Sequence, residues 1–299
     1  MSGKHWISID VGGTEIKFGV FGANGELIYH DKRETPNVGA NVRIPEAVAG
    51  IVQDMLDRCG PMEGVGISTA GVVDTESGEI IFAGGTIPEY KGANLKRIVT
   101  ERFSLPAAVA NDVNAAAIGE WWKGAAAGVD DFFCITLGTG IGGAMFCGGR
   151  LVTGAHNRAG EIGHSLYDKN SDTTYEQRAS MSALLKLASR ELPCFDGSGF
   201  TLFEQAKAGN TRYLDVIDRW TDEIARGIAG IIVMSDPSLI VIGGGVSEQG
   251  EYLLDKINLR ATAYLPSGFS QTELAVAKLG NKAALYGAIY PYFQKETER

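Results

Sequence analysis

A β-hairpin with a glycine-rich turn is predicted twice in this sequence, and this duplication constrains the fold more than any other feature. The first copy comprises the apolar strands Trp6–Asp10 and Ile16–Phe21, joined through Gly12, Gly13 and Thr14, the first glycine turn. The second comprises Phe132–Leu137 and Ala144–Cys147, joined through Gly138, Thr139 and Gly140, the second glycine turn. Apolar and small residues that alternate around a glycine cluster are typical of hairpins. Two such hairpins predict two related halves.

Gly138, Gly140 and Gly143 also match the G-x-G-x-x-G spacing of dinucleotide-binding proteins. That pattern requires a helix after the glycines and an acidic residue at the end of the next strand. The segment 144–149 has no helical periodicity and Glu161 lies in a loop-like segment, so a dinucleotide site is disfavoured. A hairpin turn instead exposes backbone N–H groups, and glycine lets them approach phosphate oxygens closely. The two glycine turns therefore predict one phosphate-bearing ligand held by both halves.

The composition is that of a globular protein without a basic surface. The 299 residues are 44% hydrophobic and 21% charged, with a formal net charge of -9 from dispersed residues. This balance argues against nucleic acid and anionic membranes as partners. No apolar run approaches the ~20 residues of a membrane span and no signal peptide is evident, so we expect a cytoplasmic location. The four cysteines lie far apart without a C-x-x-C pair, so neither a disulfide framework nor a thiolate zinc site is predicted.

Two further segments have the pattern of ligand-contacting turns. A third glycine cluster, after a helical pattern over 221–235 and a short strand, precedes a predicted helix over 248–259; it consists of Gly243, Gly244 and Gly245. The order strand, glycines, helix is typical of a nucleotide-contacting turn. Elsewhere a short strand ends at Asn111 and an alanine-rich helix follows, which puts Asp112 at a helix start. Loops are predicted over 167–174 and 193–199.

Five motifs together resemble the ROK family of sugar kinases and repressors, and they span nearly the whole chain. They are D-x-G-G-T-x-x-K from Asp10 to Lys17, N-D-x-N-A from Asn111, L-G-T-G-x-G-G from Leu137, G-E-x-G-H from Gly160 to His164, and the third glycine cluster. The family belongs to the actin, Hsp70 and hexokinase superfamily, so the resemblance implies an α/β fold of two duplicated actin-like ATPase (ribonuclease H-like) domains with an interdomain cleft. We expect a smaller domain at 1–116 and a larger one at 117–299, with the last helix a candidate to pack back on the first.

The resemblance implies a role for each motif. Asp112 matches the family's catalytic base, with helix N-capping as the structural alternative. Asp10 is the candidate Mg²⁺ ligand, with turn stabilisation as its alternative. ATP contacts are expected from Gly12, Gly13, Thr14, Lys17, Gly138, Thr139, Gly140, Gly243, Gly244 and Gly245, and for Lys17 the alternative is a solvated strand face. Sugar contacts are expected from Asn111, Glu161, His164 and Glu176.

Some of these side chains have structural interpretations that stay open at this stage. Glu161 and His164 fit a satisfied loop network as well as a sugar site. Arg178 lies two residues beyond Glu176 and could pair with it in a structural role. Trp121 and Trp122 are expected in the core or at an interface rather than as a stacking platform.

One departure from the family pattern concerns zinc. ROK sugar kinases usually have a C-x-C-G-x-x-G-C-x-E segment shortly after G-E-x-G-H, and here residues 165–176 contain no cysteine. Zinc is therefore not expected, whereas Glu176 retains the place of the terminal glutamate. The zinc-free branch includes β-glucoside kinases and N-acetylmannosamine kinases, and the segments 66–74, 86–92 and 174–180 look closest to the latter.

The favoured function is an ATP-dependent and Mg²⁺-dependent kinase that phosphorylates the 6-hydroxyl of a hexose or N-acetylhexosamine, with N-acetylmannosamine as the preferred candidate. Within the family, the alternatives are a β-glucoside kinase or a glucokinase. A repressor is disfavoured, because the first strand begins at Trp6 and leaves no room for an N-terminal helix-turn-helix. A non-catalytic, ATP-dependent interaction protein is the alternative from another class. A homodimer is expected from the resemblance alone.

Overall fold

The computed structural model of the protein describes residues 3–297, and side chains as far as residue 294. The described chain divides into two compact units. The first contains residues 3–127, Gly154–Arg158 and 282–297, and the second contains Gly128–Thr153 and Ala159–Asn281. None of the described helices combines the length and the apolar character needed to cross a membrane.

The first unit is an α/β structure around one mixed sheet. Its strands are β1 (Trp6–Val11), β2 (Glu15–Phe21), β3 (Leu27–Glu34), β4 (Gly64–Thr69), β5 (Val72–Asp74), β6 (Glu79–Phe82) and β7 (Ala107–Asn111). Its helices are α1 (Ala40–Cys59), α2 (Leu95–Phe103), α3 (Asp112–Lys123) and α9 (Ala283–Thr297). The sheet order is β3-β2-β1-β4-β7, while β5 and β6 form a separate ribbon. β1, β4 and β7 are parallel to one another, and β2 is antiparallel to its two neighbours, β1 and β3.

The second unit repeats this plan. Its strands are β8 (Phe132–Leu137), β9 (Ile141–Cys147), β10 (Arg150–Val152), β11 (Leu239–Gly243) and β12 (Glu273–Val276), in the order β10-β9-β8-β11-β12. Its helices are α4 (Tyr175–Ala179), α5 (Met181–Glu191), α6 (Gly199–Lys207), α7 (Thr211–Ser235) and α8 (Glu251–Ala261). Again the first hairpin is antiparallel, and β8, β11 and β12 are parallel. Both predicted hairpins, and the duplication of an α/β unit, are confirmed.

Buried apolar strands hold each unit together. Every residue of β1, β4 and β11 is buried, as expected for central strands covered on both faces. In the first unit the core gathers residues such as Ile9, Ile67 and Val109. In the second it gathers Ile135, Ile242 and the inner face of α7 around Trp220. These two cores position the strand ends where the polar residues lie.

Helix α9 completes the first unit by packing closely on α3 and β4. A Cβ atom at Gly287 would lie 1.7 Å from the Ala115 carbonyl oxygen, and one at Gly66 would lie 2.2 Å from that of Ala288. Ser8 Oγ donates a buried hydrogen bond of 2.7 Å to the Leu285 carbonyl. The boundary expected at residue 116 falls inside α3, whereas the chain divides after Ala127, because this packing keeps α3 within the first unit.

Some helix bounds differ from those predicted. The helix predicted from residue 221 begins at Thr211, because Val216, Ile217 and Trp220 extend its buried face by almost three turns. The helix predicted over 248–259 is α8, preceded by a separate 3₁₀ turn at Gly245–Gln249. Trp121 and Trp122 pack against Tyr290 of α9 with ring centroids 5.6 Å apart, so their expected packing role is confirmed.

Candidate active site

The carboxyl ends of three parallel strands in the first unit collect polar side chains. β4 lies between β1 and β7, with Asp10 paired to Ser68 and Thr69 paired to Asn111 in register. In open α/β sheets, ligands bind outside the carboxyl ends of such strands. Asp10, Asn111 and Asp112 thus lie along one edge of the same sheet.

Asp10 is a buried carboxylate held between its two neighbouring strands. Its Oδ1 accepts a hydrogen bond of 2.8 Å from Ser68 Oγ, and Lys17 Nζ lies 3.9 Å from its Oδ2. Burial raises the pKa of Asp10 above its ordinary value, against the lowering effects of the Ser68 hydrogen bond and the Lys17 charge. Lys17 therefore contacts the candidate site. Sequence reasoning missed Ser68, although a serine at the end of an apolar strand beside Asp10 was an available signal.

Asn111 caps helix α3 and contacts Asp112 at the same time. Its Oδ1 accepts hydrogen bonds from Val113 N at 2.9 Å and Asn114 N at 3.0 Å. Its Nδ2 donates to the Gly71 carbonyl and to Asp112 Oδ1, both at 3.0 Å. These four bonds use every donor and acceptor position of a side-chain amide. The capping role considered for Asp112 thus belongs to Asn111, because only Asn111 has the extended backbone of an N-cap.

Asp112 is the first helical residue of α3. The hydrogen-bonded pair of Tyr90 and Thr69 lies close enough for the charge of Asp112 to act on Tyr90. Asp112 Oδ1 also accepts from Val113 N at 2.9 Å. The Tyr90 hydroxyl and Thr69 Oγ1 form a buried hydrogen bond of 2.7 Å. Burial raises the pKa of Tyr90, and the negative charge of Asp112 raises it further, so Tyr90 stays a neutral hydrogen-bonding group. Tyr90 lies in the segment 86–92 that carried part of the resemblance, but sequence reasoning assigned it no role in the site.

The first glycine turn is closed by its own backbone. Gly12 N donates to the Glu15 carbonyl at 3.0 Å, and the Gly12 carbonyl accepts from Thr35 Oγ1 at 2.7 Å. A Cβ atom at Gly13 would lie 2.8 Å from Thr86 Cγ2, so the turn requires a small residue there. Within residues 3–297, no protein acceptor takes a hydrogen bond from the Gly13 or Thr14 nitrogen. These two N–H groups can therefore serve an anionic ligand.

The second glycine turn is also closed by a hydrogen bond of its own backbone, and it contacts Glu176. Gly138 N donates to the Gly140 carbonyl at 3.0 Å, and the exposed Thr139 lies between them. Glu176 Oε2 accepts from Ile141 N at 2.8 Å, directly after the turn. A Cβ atom at Gly140 would lie 2.4 Å from Glu176 Oε2, so glycine is needed for this contact. The structure thus brings Glu176 to the second glycine turn.

Glu161 and His164 lie on a segment packed against the start of β9. A Cβ atom at Gly163 would lie 2.4 Å from the Ile141 carbonyl oxygen, which fixes this segment beside the second glycine turn. His164 Nε2 and Glu161 Oε2 are 3.9 Å apart, and both side chains are exposed. Exposed polar side chains next to Glu176 are able to contact a polyol.

The third glycine cluster lies beside the second glycine turn. A Cβ atom at Gly244, whose φ is +86°, would lie 2.4 Å from the Leu137 carbonyl oxygen. A cavity of about 250 Å³ is lined by Gly138 and Thr139 on one side and Gly245 on the other. Its remaining wall includes Met181, Phe200 and Gln249. The second glycine turn and Gly245 of the third glycine cluster, which are far apart in sequence, therefore border one cavity in the second unit.

Arg178 has a structural role, but its partner is not the one considered from the sequence. Arg178 Nε donates to Glu223 Oε2 on α7 at 3.0 Å rather than to Glu176. The reason is geometric, because residues two apart on a helix do not face each other.

Metal-binding groups are sparse in the described part of the chain. No three histidine, cysteine, aspartate or glutamate side chains between residues 3 and 294 are grouped to hold a metal ion. The segment after His164 has no thiolate, so its residues do not fit a zinc site. Asp10, a carboxylate beside the first glycine turn, fits a Mg²⁺ ion that arrives with phosphate groups.

Comparison with known proteins identifies the family of this chain. The family model described as the ROK family matches residues 6–294. The chain belongs to the ROK family.

This ROK protein is 29% identical over 299 residues to a β-glucoside kinase of Listeria monocytogenes, covering 97% of each chain. It is similar to the structure of a ROK family glucokinase from Streptomyces griseus in complex with glucose and AMPPNP, at 33% identity and a TM-score of 0.81, over 97% of this chain and 99% of that one. It is also similar to a candidate N-acetylmannosamine kinase of Listeria monocytogenes, at 28% identity and a TM-score of 0.86, over 98% and 99%. The expected fold class, two duplicated actin-like α/β units, is confirmed.

Proposed function

We propose that this ROK protein is an ATP-dependent sugar kinase that phosphorylates the 6-hydroxyl of N-acetylmannosamine. The observation behind this proposal is the Asn111–Asp112 pair at the carboxyl end of β7, on the same sheet edge as the buried carboxylate of Asp10. One carboxylate at a helix start and one at a strand end provide a base and a metal ligand, which phosphoryl transfer requires.

Asp112 acts as the general base in this proposal. It accepts the proton of the sugar 6-hydroxyl while that oxygen attacks the γ-phosphorus and ADP leaves. Asn111 fixes Asp112 through its 3.0 Å hydrogen bond and through the helix cap. Asp10 would hold Mg²⁺, directly or through water, and Lys17 adds a positive charge beside it. Bound Mg²⁺ neutralises the charge that develops on the phosphates.

The glycine turns provide backbone donors for ATP. Gly12, Gly13 and Thr14 serve one phosphate region, and Gly138, Thr139 and Gly140 serve another. The 250 Å³ cavity bordered by Gly245, which follows Gly243 and Gly244 in the chain, suits the nucleoside, because it combines glycine backbone with apolar walls from Met181 and Phe200. Support for ATP comes from the AMPPNP bound to the similar glucokinase.

The sugar contacts come from Glu161, His164 and Glu176, with Asn111 as the fourth candidate. Asn111 has no spare hydrogen-bonding position, so it binds sugar only by exchanging one bond, such as that to Gly71. The choice of N-acetylmannosamine is supported by the similar Listeria protein. The β-glucoside kinase and glucokinase relatives favour glucose or a β-glucoside as the second candidate.

The test is an ATP-consumption assay with Mg²⁺ against N-acetylmannosamine, N-acetylglucosamine, glucose, mannose and cellobiose. We expect the highest kcat/KM for N-acetylmannosamine, with the phosphate on O6 by NMR, and a kcat about 10²–10⁴-fold lower with Asp112→Asn. A preference for glucose or cellobiose would change the assigned substrate and leave the proposed mechanism unchanged. ATP hydrolysis without any sugar dependence would favour a non-catalytic, ATP-dependent interaction protein instead.

Two further properties complete the proposal. We infer a homodimer, which sedimentation of the purified protein tests directly, and a cytoplasmic location, which fractionation of the producing cell tests. A monomer at assay concentrations that retains full activity would contradict the first.

A further inference from the structure

The segment 165–174, which we term the connecting loop, joins two of the proposed sugar ligands. It starts after His164 and ends before α4, which bears Glu176. Tyr175 N donates to the Ser165 carbonyl at 2.9 Å and closes the loop at its base. Asp168 N donates to the Thr173 carbonyl at 2.8 Å, which forms a second bridge across the loop. This loop therefore tethers the segment that bears His164 to the start of α4, which bears Glu176.

Both ends of the connecting loop bond to one guanidinium group. Arg178 Nη2 donates to the Leu166 carbonyl at 2.6 Å. Arg178 Nη1 donates to the Thr173 carbonyl at 2.8 Å, to Thr173 Oγ1 at 2.9 Å and to the Thr174 carbonyl at 3.1 Å. Its side chain is only 13% exposed. Arg178 thus donates to part-buried carbonyls at both ends of the loop, and it is a second donor to the Thr173 carbonyl, which also accepts from Asp168 N.

The same arginine ties the loop to helix α7. Tyr175 and Arg178 are three residues apart, so they share one face of α4. The Tyr175 hydroxyl donates to the Ile224 carbonyl at 3.1 Å, and Arg178 Nε donates to Glu223 at 3.0 Å. Glu176 lies off this face and reaches Ile141 N at 2.8 Å. Helix α7 thus supports α4, and α4 in turn holds Glu176 against the second glycine turn.

We propose that Arg178, paired with Glu223, is the positioning residue for the sugar ligands His164 and Glu176. The guanidinium group is an internal cation that holds both ends of the connecting loop through its hydrogen bonds to Leu166, Thr173 and Thr174. The planar array of five N–H donors suits this task, because it reaches both loop ends and a carboxylate together. Lysine, a single point charge, can satisfy only part of this set. The kinetic consequence rests on the proposed function, whereas the anchoring does not.

The experiment compares wild-type protein with Arg178→Met, Arg178→Lys and the control Arg190→Met, whose arginine is 73% exposed and paired with Glu191. Hydrogen exchange of the unliganded proteins is measured for peptides covering 165–176 and, as an internal reference, for the buried part of α7. We expect Arg178→Met to lose protection in 165–176 with α7 unchanged, Arg178→Lys to lose part of it, and the control to match wild type.

Kinetics with the best sugar of the panel provide the second readout. We expect Arg178→Met to raise the sugar KM about 10–100-fold, as loss of a ligand-orienting partner does. The KM for ATP should stay within about two-fold, because the effect is confined to sugar binding. Arg178→Lys should be intermediate, and it replaces the methionine variant if that one does not fold.

Several outcomes separate this proposal from the proposed function. Unchanged exchange in 165–176 in both Arg178 variants would overturn the anchor. Equal increases in the KM for sugar and for ATP would overturn the positioning role. If the wild-type protein phosphorylates no sugar, the proposed function fails, and the exchange data alone still decide whether Arg178 holds the loop.

Discussion

Asn111 Nδ2 donates a hydrogen bond of 3.0 Å to Asp112 Oδ1, while Asn111 Oδ1 accepts from the first N–H groups of α3. Two adjacent residues therefore divide two tasks. Asn111 caps the helix and orients its neighbour, and Asp112 contributes a carboxylate that the fold does not need as a cap. This division makes the two positions separable by mutation.

Replacing Asp112 by asparagine should leave the fold intact and remove catalysis. Asn111 remains as the cap, and loss of a charge in the first turn costs only about 0.3–1 kcal/mol. Loss of the base should lower kcat about 10²–10⁴-fold. Thermal melts and sugar-dependent ATP consumption check both parts. A folded variant with near-normal kcat would refute the assignment of Asp112 as base.

Replacing Asn111 by serine or by alanine should separate capping from orientation. Serine retains a capping oxygen, whereas alanine loses it and should cost about 1 kcal/mol of unfolding free energy. Both lose the two Nδ2 donors to Gly71 and Asp112, so kcat should fall by a similar factor in both. Urea melts and kcat are the measurements. Wild-type kcat in the serine variant would show that the Nδ2 bond does not orient Asp112.

Replacing Asp10 by asparagine should stabilise the protein at neutral pH and abolish Mg²⁺-dependent turnover. Burial raises the pKa of Asp10 above its ordinary value of 3.8. Between the ordinary pKa of the unfolded state and the raised pKa of the folded state, the folded protein binds more protons than the unfolded protein. Stability therefore falls as the pH rises through that window. Above the window the buried charge costs stability, and asparagine, which still accepts from Ser68, avoids that cost.

The measurement for Asp10 is the difference in Tm between variant and wild type at about pH 4 and pH 8. The stabilisation by Asp10→Asn should be larger at the higher pH, because the raised pKa of Asp10 makes the wild-type protein lose stability as the pH rises. A variant that is less stable than wild type at both pH values would show that the bond to Ser68 and the Lys17 charge outweigh burial.

Replacing Gly287 by alanine should destabilise the first unit. The new methyl group would lie 1.7 Å from the Ala115 carbonyl oxygen, and overpacking of this kind costs about 1–3 kcal/mol or more. The matched control is Gly230→Ala in α7, where no atom lies within 4 Å of the added methyl group. That control should gain about 0.5–1 kcal/mol, because alanine favours a helix interior. Denaturant melts compare the two, and a neutral Gly287→Ala would contradict the close helix contact.

Local periodicity was sufficient to predict the parts of the fold that depend on neighbours in sequence. The two hairpins follow from alternation over short windows, as the strand registers from Trp6 to Phe21 and from Phe132 to Phe146 show. The placement of α3 could not be predicted, because it depends on Ala115 meeting Gly287, far away in the chain. A contact of that kind leaves no trace in a local pattern.

The residues of the candidate site also fall into two groups: those that local sequence features indicated, and those that only packing between elements brings to the site. Strand ends and glycine clusters indicated Asp10, Asp112 and both glycine turns, because those features are local. Ser68 and the partner of Arg178 come from neighbouring elements, since Ser68 is a register partner on β4 and Glu223 lies on α7. Helix geometry alone could have excluded Glu176 as that partner.

The packing of α9 on α3 also has a consequence for synthesis on the ribosome. The surface of α3 around Ala115 is covered by a helix that begins only at Ala283. The intervening residues, which include the whole of the second unit, are translated before that helix. Asp112 is therefore mounted on a helix whose support from α9 is made only after the second unit has been translated, so the nascent protein acquires its proposed base in a stable setting only after that point.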